Sequence, residues 1–130
     1  MEGAFKMINY SVVEVEKKED YFSIAHPSIA INVTNSRTAL KMLMSLLPEI
    51  GKIQRIVQNR DSERVYFETF IIGAKYTIVL KDSFTSGYAG VGAKVFKEFL
   101  EHAGLSTRES EQLIFKEEPK RAVLKIDFTN

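Results

Sequence analysis

The chain predicts an α+β fold: a mostly antiparallel sheet, including a three-stranded meander, with two main helices packed on it. β-patterned runs outnumber helical ones, and the connections inside the meander are too short for parallel crossovers. Two amphipathic helical patterns, at 36–47 and 91–103, sit between groups of strands rather than alternating with them one by one. The 130 residues hold no linker, internal repeat or low-complexity tract, so 1–130 reads as a single domain.

Residues 4–16 are dense in β-formers, with Val13 and Val15 alternating against Glu14 and Glu16. Lys17-Lys18-Glu19-Asp20 is a polar turn, after which Tyr21 to Ala25 reads as a strand. Pro27 breaks it, having no N–H for a ladder. Ile29, Ile31 and Val33 share one face of a further short strand ending at Thr34. Asn35-Ser36 offers a side-chain oxygen to the orphan N–H groups of a helix start. Ala39, Leu40, Leu43, Met44 and Leu47 then recur at helical spacing until Pro48 and Gly51 end the helix. Met42, Met44, Leu46 and Leu47 spread apolar surface round it, as deep burial or a homo-oligomer contact would require.

The meander strands are expected at about 52–58, 63–72 and 75–81, turning at Asn59-Arg60-Asp61-Ser62 and at Gly73-Ala74. The middle strand alternates Val65, Phe67, Thr69 and Ile71 against Tyr66, Glu68, Phe70 and Ile72. Both sets are largely apolar, which predicts a strand covered on two sides. Val95, Phe96, Phe99, Leu100 and Ala103 form the stripe of the second helix, with Gly104 at the position of a left-handed cap. Ser106 and Glu109 have capping-box spacing, so a short helical turn is expected over 107–112. Leu113 to Lys116 and Ala122 to Phe128 read as a closing hairpin.

Composition narrows the function classes. Eighteen basic against 17 acidic side chains leave a net charge of +1, which gives no global attraction for nucleic acid or an anionic membrane. Nine Phe and five Tyr within 45% hydrophobic residues supply a real core and exclude general disorder. The absence of cysteine excludes disulfides, thiolate metal sites and a cysteine nucleophile. No apolar run approaches the roughly 18 residues of a membrane span, and Met1 to Lys6 lacks a signal-peptide pattern, so a cytoplasmic location is expected. His26 and His102 stand far apart in sequence, with no H-x-x-x-H or H-x-H spacing, so neither a metal nor a cofactor is expected.

The candidate site is Ser83-Phe84-Thr85-Ser86-Gly87-Tyr88-Ala89-Gly90-Val91-Gly92-Ala93, between a β-run and a helix. Glycines permit positive φ and close approach, and a helix start presents free N–H groups and a positive dipole end. In this reading the amides of Gly90, Val91 and Gly92 receive an anion, Gly87 shapes the loop, Tyr88 stacks on the ligand, and Arg55 or Lys94 neutralises charge. The alternative is that the glycines serve only a tight, closely packed connection. The spacing G-x-x-G-x-G matches neither the P-loop nor the dinucleotide fingerprint.

Phe84, Gly87-Tyr88, Gly90 and Gly92 resemble a strand–G-Y-x-G-x-G–helix segment of uncharacterised small bacterial and phage-associated proteins. There a Trp precedes the first Gly and a Pro follows the last; this chain has Ser86 and Ala93. The resemblance spans about a tenth of the chain and implies no chemistry.

The expected function is a non-enzymatic binding domain for a small anionic ligand, a nucleotide or phosphorylated metabolite. The competing expectation is a protein–protein module of inhibitor, immunity or phage-accessory type, using Tyr66, Phe70, Tyr76 and the first helix. A small hydrolase or transferase would need a histidine or carboxylate beside Ser83, Ser86 or Tyr88.

Overall fold

The structure, a computed structural model, describes residues 7–25 and 29–129. Its strands are β1 (Met7–Glu14), β2 (Ile29–Ile31), β3 (Ile53–Asp61), β4 (Tyr66–Gly73), β5 (Thr77–Lys81) and β6 (Arg121–Thr129). Its helices are α1 (Ser36–Ile50), α2 (Val91–Ala103) and α3 (Thr107–Ile114), with one 3-10 turn at Lys18–Asp20. The strands form one six-stranded sheet in the order β1-β6-β3-β4-β5-β2. Every pairing is antiparallel except β2 with β5. The architecture is α+β, and no helix among the described residues is long and apolar enough to cross a membrane.

Period-two alternation sorts the sheet into two faces. On one, Ile56, Ile71, Ile78, Leu80, Leu124 and Ile126 meet Leu43 of α1, Phe96, Phe99 and Leu100 of α2 and Leu113 of α3. Phe84 stacks on Phe96 and Phe99 with ring centroids 5.3 and 6.0 Å away, locking the segment before α2 into this core. The opposite face is thinner. Val57, Phe70, Val79 and Val123 are covered by Val15 and by a strap carrying Tyr21, Phe22 and Ile24.

Local signals placed several helix ends. Asn35 Oδ1 accepts the Thr38 N–H at 2.9 Å and caps α1. Ser106 and Glu109 close a full capping box at α3. Gly104 ends α2 with φ of 123°, where only glycine is free of strain.

Elsewhere tertiary contacts moved the boundaries. Pro48 does not end α1 but lies in its last turn. That turn persists because Ile50 is fully buried and its carbonyl accepts the N–H groups of Lys75 and Tyr76 at 2.8 and 3.3 Å. The expected strand Tyr21–Ala25 is an irregular strap, because the Phe22 backbone pairs with the Asn59 side chain rather than with a neighbouring strand. Asn59 Oδ1 accepts the Phe22 N–H at 2.9 Å and Asn59 Nδ2 donates to the Phe22 carbonyl at 2.7 Å. Asn59, Arg60 and Asp61 belong to β3, not to a turn; the turn follows at 62–65, with Val65 at a φ of 56°. The run from Leu113 finishes α3, so β6 pairs with β1 and β3 instead of closing a local hairpin. The first strand begins at Met7 among the described residues, while its expected first residues and His26-Pro27 lie outside them.

Two substitutions test this framework. An added Cβ at Gly73 would sit 2.9 Å from Ile50 Cβ and collide with the Ile50 carbonyl. Gly73→Ala is therefore expected to destabilise by about 1–3 kcal/mol, the usual cost of overpacking, read as a lower denaturant midpoint. Asn59→Ala leaves two strap hydrogen bonds unmade and should cost about 2–3 kcal/mol. Hydrogen exchange should then show the Phe22 amide losing protection first.

Candidate functional site

The glycine loop is built by packing. Gly87 has a φ of 87°, donates its N–H to the Ile114 carbonyl at 2.7 Å, and lies where a side chain would press on Ser62 and Arg60. At Gly92 a Cβ would lie 2.8 Å from Thr85 Oγ1, so the missing side chain makes room for Thr85. Gly90 is different. Only the Tyr88 ring lies near it, no side chain caps the helix there, and its extended φ of −173° demands no glycine.

Tyr88 is 37% exposed and tilts against Phe67 at 6.1 Å, while Val91 and Lys94 are exposed at the start of α2. Arg55 is not part of this group. It ion-pairs with Asp127 at 2.6 Å, and five residues of β3 separate it from Arg60, roughly 17 Å in an extended strand.

The arginine behind the loop is Arg60. Its side chain is 1% exposed, with Nη2 donating to the Pro119 carbonyl at 2.5 Å and Nη1 lying 3.5 Å from Ser86 Oγ. Burial lowers its pKa and the Glu118 charge opposes that shift; a guanidinium stays charged regardless. Ser86 donates to Gln58 Oε1, and Ser83 donates to the Val33 carbonyl. The two hydroxyls are thus engaged with an amide and a backbone oxygen.

A larger concavity opens on the strap side of the sheet. It is a cleft of about 610 Å3 whose apolar walls come from Tyr21 and Phe22 of the strap and Tyr66 of β4. Such a volume falls within the usual range of small-molecule sites. Tyr21 and Tyr66 meet edge to face at 6.0 Å, and Phe22 packs on Phe70 at 4.9 Å. Strand parity explains the floor: Asn59 and Asp61 of β3 register beside Glu68 and Tyr66 of β4, all on one face. Lys18, Glu19, Arg64 and Arg121 complete the rim.

The charges in this cleft are not equivalent. Asp61 Oδ1 accepts the Arg64 backbone N–H at 3.1 Å. Glu68 Oε1 accepts from Tyr66 Oη at 3.0 Å and from Asn59 Nδ2 at 3.4 Å. Two of the three carboxylates are thereby occupied, whereas Lys18, Arg64 and Arg121 have no carboxylate within 4.0 Å among the described residues. Glu19 is the one cleft carboxylate without such a partner among the described residues, set against these three cations.

Both tyrosines register the environment. Burial, then the hydrogen bond and charge of Glu68, push the Tyr66 phenol far above its ordinary range. Tyr21 is also raised, by burial and then by Asp61, with Arg121 and Arg64 opposing; its hydroxyl donates to the Arg60 carbonyl at 3.1 Å.

The sequence reading places Tyr66 on a protein–protein surface and Asp61 in the first meander turn, and gives Arg64 and Glu68 no part in a site. Tyr21, Phe22, Asn59 and Arg121 were not singled out for this site. The available signal was the shared parity of Asn59 with Asp61 and of Tyr66 with Glu68. Among the described residues no group of three or more His, Asp or Glu is placed to hold a metal ion.

Alkaline titration followed by tyrosinate absorbance should show Tyr21 and Tyr66 ionising above the ordinary phenol range, and Tyr66→Phe should remove the latest phase. Because their folded pKa values exceed the unfolded value of about 10, the unfolded chain loses these protons first. Stability is therefore unaffected by them below about pH 10 and falls as pH rises from there toward the folded values.

No protein-family model, curated protein or solved structure matches the chain.

Proposed function

We propose that this protein is a binding domain for a small organic anion that carries an aromatic or apolar body, seated in the cleft between strap and sheet. The observation behind the reading is the pairing of aromatic walls with three cations that lack carboxylate partners among the described residues, while two of the three neighbouring carboxylates are hydrogen-bonded internally. Tyr21, Phe22 and Tyr66 offer the body a flat apolar contact. Arg64 and Arg121 present forked donors to a carboxylate or phosphate, and Lys18 adds a point charge. The ligand class matches the expectation from the sequence; the location does not. Two of the three loop glycines answer to Arg60 and Thr85, so the loop contributes by holding β3 rather than by receiving the anion.

Isothermal titration with aromatic carboxylates, nucleoside monophosphates and an uncharged aromatic control provides the test. At least one anionic compound is expected to bind, with affinity falling as salt rises. Arg64→Gln and Arg121→Gln should each weaken it by about tenfold, the loss of one charge-assisted hydrogen bond, while Lys94→Gln should have no effect. Equal binding of charged and uncharged compounds would refute the role of the cations, and loss of binding on Lys94→Gln would return the site to the loop.

A further inference from the structure

The two edges of the sheet are treated differently. β2 closes one edge with only three residues, a length that offers little to a passing strand. β1 forms the other edge with eight residues that pair with β6 in unbroken register. It contains no proline, no lysine and no register shift, the usual devices that keep an edge from pairing. Among the described residues β1 has a strand on one side only. In an antiparallel ladder alternate residues aim their N–H and C=O groups away from the existing partner, so a row of donors and acceptors faces outward along β1.

A groove of about 730 Å3 runs beside this edge, between Tyr10, Ser11 and Val12 of β1 and Arg108 and Gln112 of α3, with Lys116 just past the helix end. Tyr10 is 40% exposed and Val13 54%, so the edge presents apolar side chains beside the exposed Asn9, Ser11 and Glu14. The groove is also electrostatically biased. Its carboxylate, Glu111, lies 4.0 Å from Lys97, whereas Arg108 and Lys116 have no carboxylate partner among the described residues. An open strand flanked by a helix with cationic side chains has the parts needed for strand addition: backbone pairing for affinity and flanking side chains for selection.

We infer that β1 and α3 form a docking site for an extended, acidic peptide segment of a partner protein, which adds to the sheet as a seventh strand beside β1. Its alternate side chains point into the groove, where acidic ones meet Arg108 and Lys116 and apolar ones meet Tyr10 and Val12. The site is independent of the anion cleft, which lies on the other face of the sheet.

The probe is a labelled eight-residue peptide alternating glutamate with valine or threonine. Its controls are the lysine-for-glutamate version and a version N-methylated at every second residue. Fluorescence anisotropy should show binding of the acidic peptide, weakened about tenfold or more by N-methylation or by charge inversion of the probe. Amide chemical-shift changes should concentrate on 7–14 and 107–116. Arg108→Glu with Lys116→Glu, both at exposed positions, should weaken the acidic probe and strengthen the lysine probe. Equal binding of the N-methylated probe would overturn strand addition, and absence of binding by all three probes would overturn the site. Concentration-dependent dimerisation with the same shift changes would assign the edge to a second copy and overturn the peptide partner. The uncharged and small anionic compounds of the cleft assay should leave 7–14 unmoved, which keeps the two outcomes separate.

Discussion

Four consecutive polar side chains in the middle of the sheet hold this molecule together: Gln58, Asn59, Arg60 and Asp61 of β3, each at most 5% exposed. Burying polar groups in a central strand is unfavourable unless each finds a partner. Alternation sends Gln58 and Arg60 to the helix side and Asn59 and Asp61 to the strap side. On the helix side, Gln58 Nε2 donates to Thr69 Oγ1 and to the Phe84 carbonyl at 3.0 and 3.1 Å, and its oxygen accepts from Ser86. Arg60 reaches the Pro119 carbonyl. On the strap side, Asn59 grips Phe22 and Asp61 fixes the turn that carries Arg64. The strap, the β3–β4 turn, the segment at 84–86 and the connection at Pro119 are each tied to β3 through one of these four.

This arrangement explains why the two faces differ. The helix face has the large core, with Phe84, Phe96 and Phe99 packed together, and its polar groups anchor the segment leading into α2 and the connection before β6. The strap face has fewer apolar residues to cover, and a strap held by one asparagine does not span it. The uncovered end becomes the cleft. Its floor needs Asn59 and Glu68 to hold each other and the strap, and that requirement takes up carboxylate capacity while leaving Arg64, Arg121 and Lys18 directed at the rim. Scaffold and electrostatic bias thus come from the same residues.

Elements set by short-range chemistry were legible in the sequence. The Asn35 cap, the Ser106–Glu109 box, the stripe of α2 and its Gly104 stop each depend on a few neighbouring positions. The two apolar faces of β4 were legible for the same reason, since Phe67 and Phe70 take opposite sides by parity alone. What failed were judgements that polarity means exposure. Asn59-Arg60-Asp61 looks like a turn because its partners, Phe22, Pro119 and Arg64, are up to 59 positions away or belong to a turn not yet placed. Tyr21 to Ala25 has strand composition, yet its bonds go to one side chain. Leu113-Ile114-Phe115 is too short for period to separate strand from helix end. The cleft combines the first two of these, at 59–61 and at 21–25, which is why the sequence points to the glycines instead.

The glycine loop and the cleft are nevertheless connected through Arg60 and its neighbours. Gly87 must lack a side chain because Arg60 and Ser62 lie against it, and it must take a positive φ to bring its N–H to Ile114. Close approach there lets Ser86 reach Gln58 and lies alongside Nη1 of Arg60. Arg60 in turn presents its backbone carbonyl to the Tyr21 hydroxyl on the opposite side of the sheet. A side chain at position 87 would press on Arg60 and the start of the β3–β4 turn, and the strain would reach Tyr21 and Asp61 through one strand. The loop glycines therefore bear on the strap-side cleft through the position of β3, without lining it.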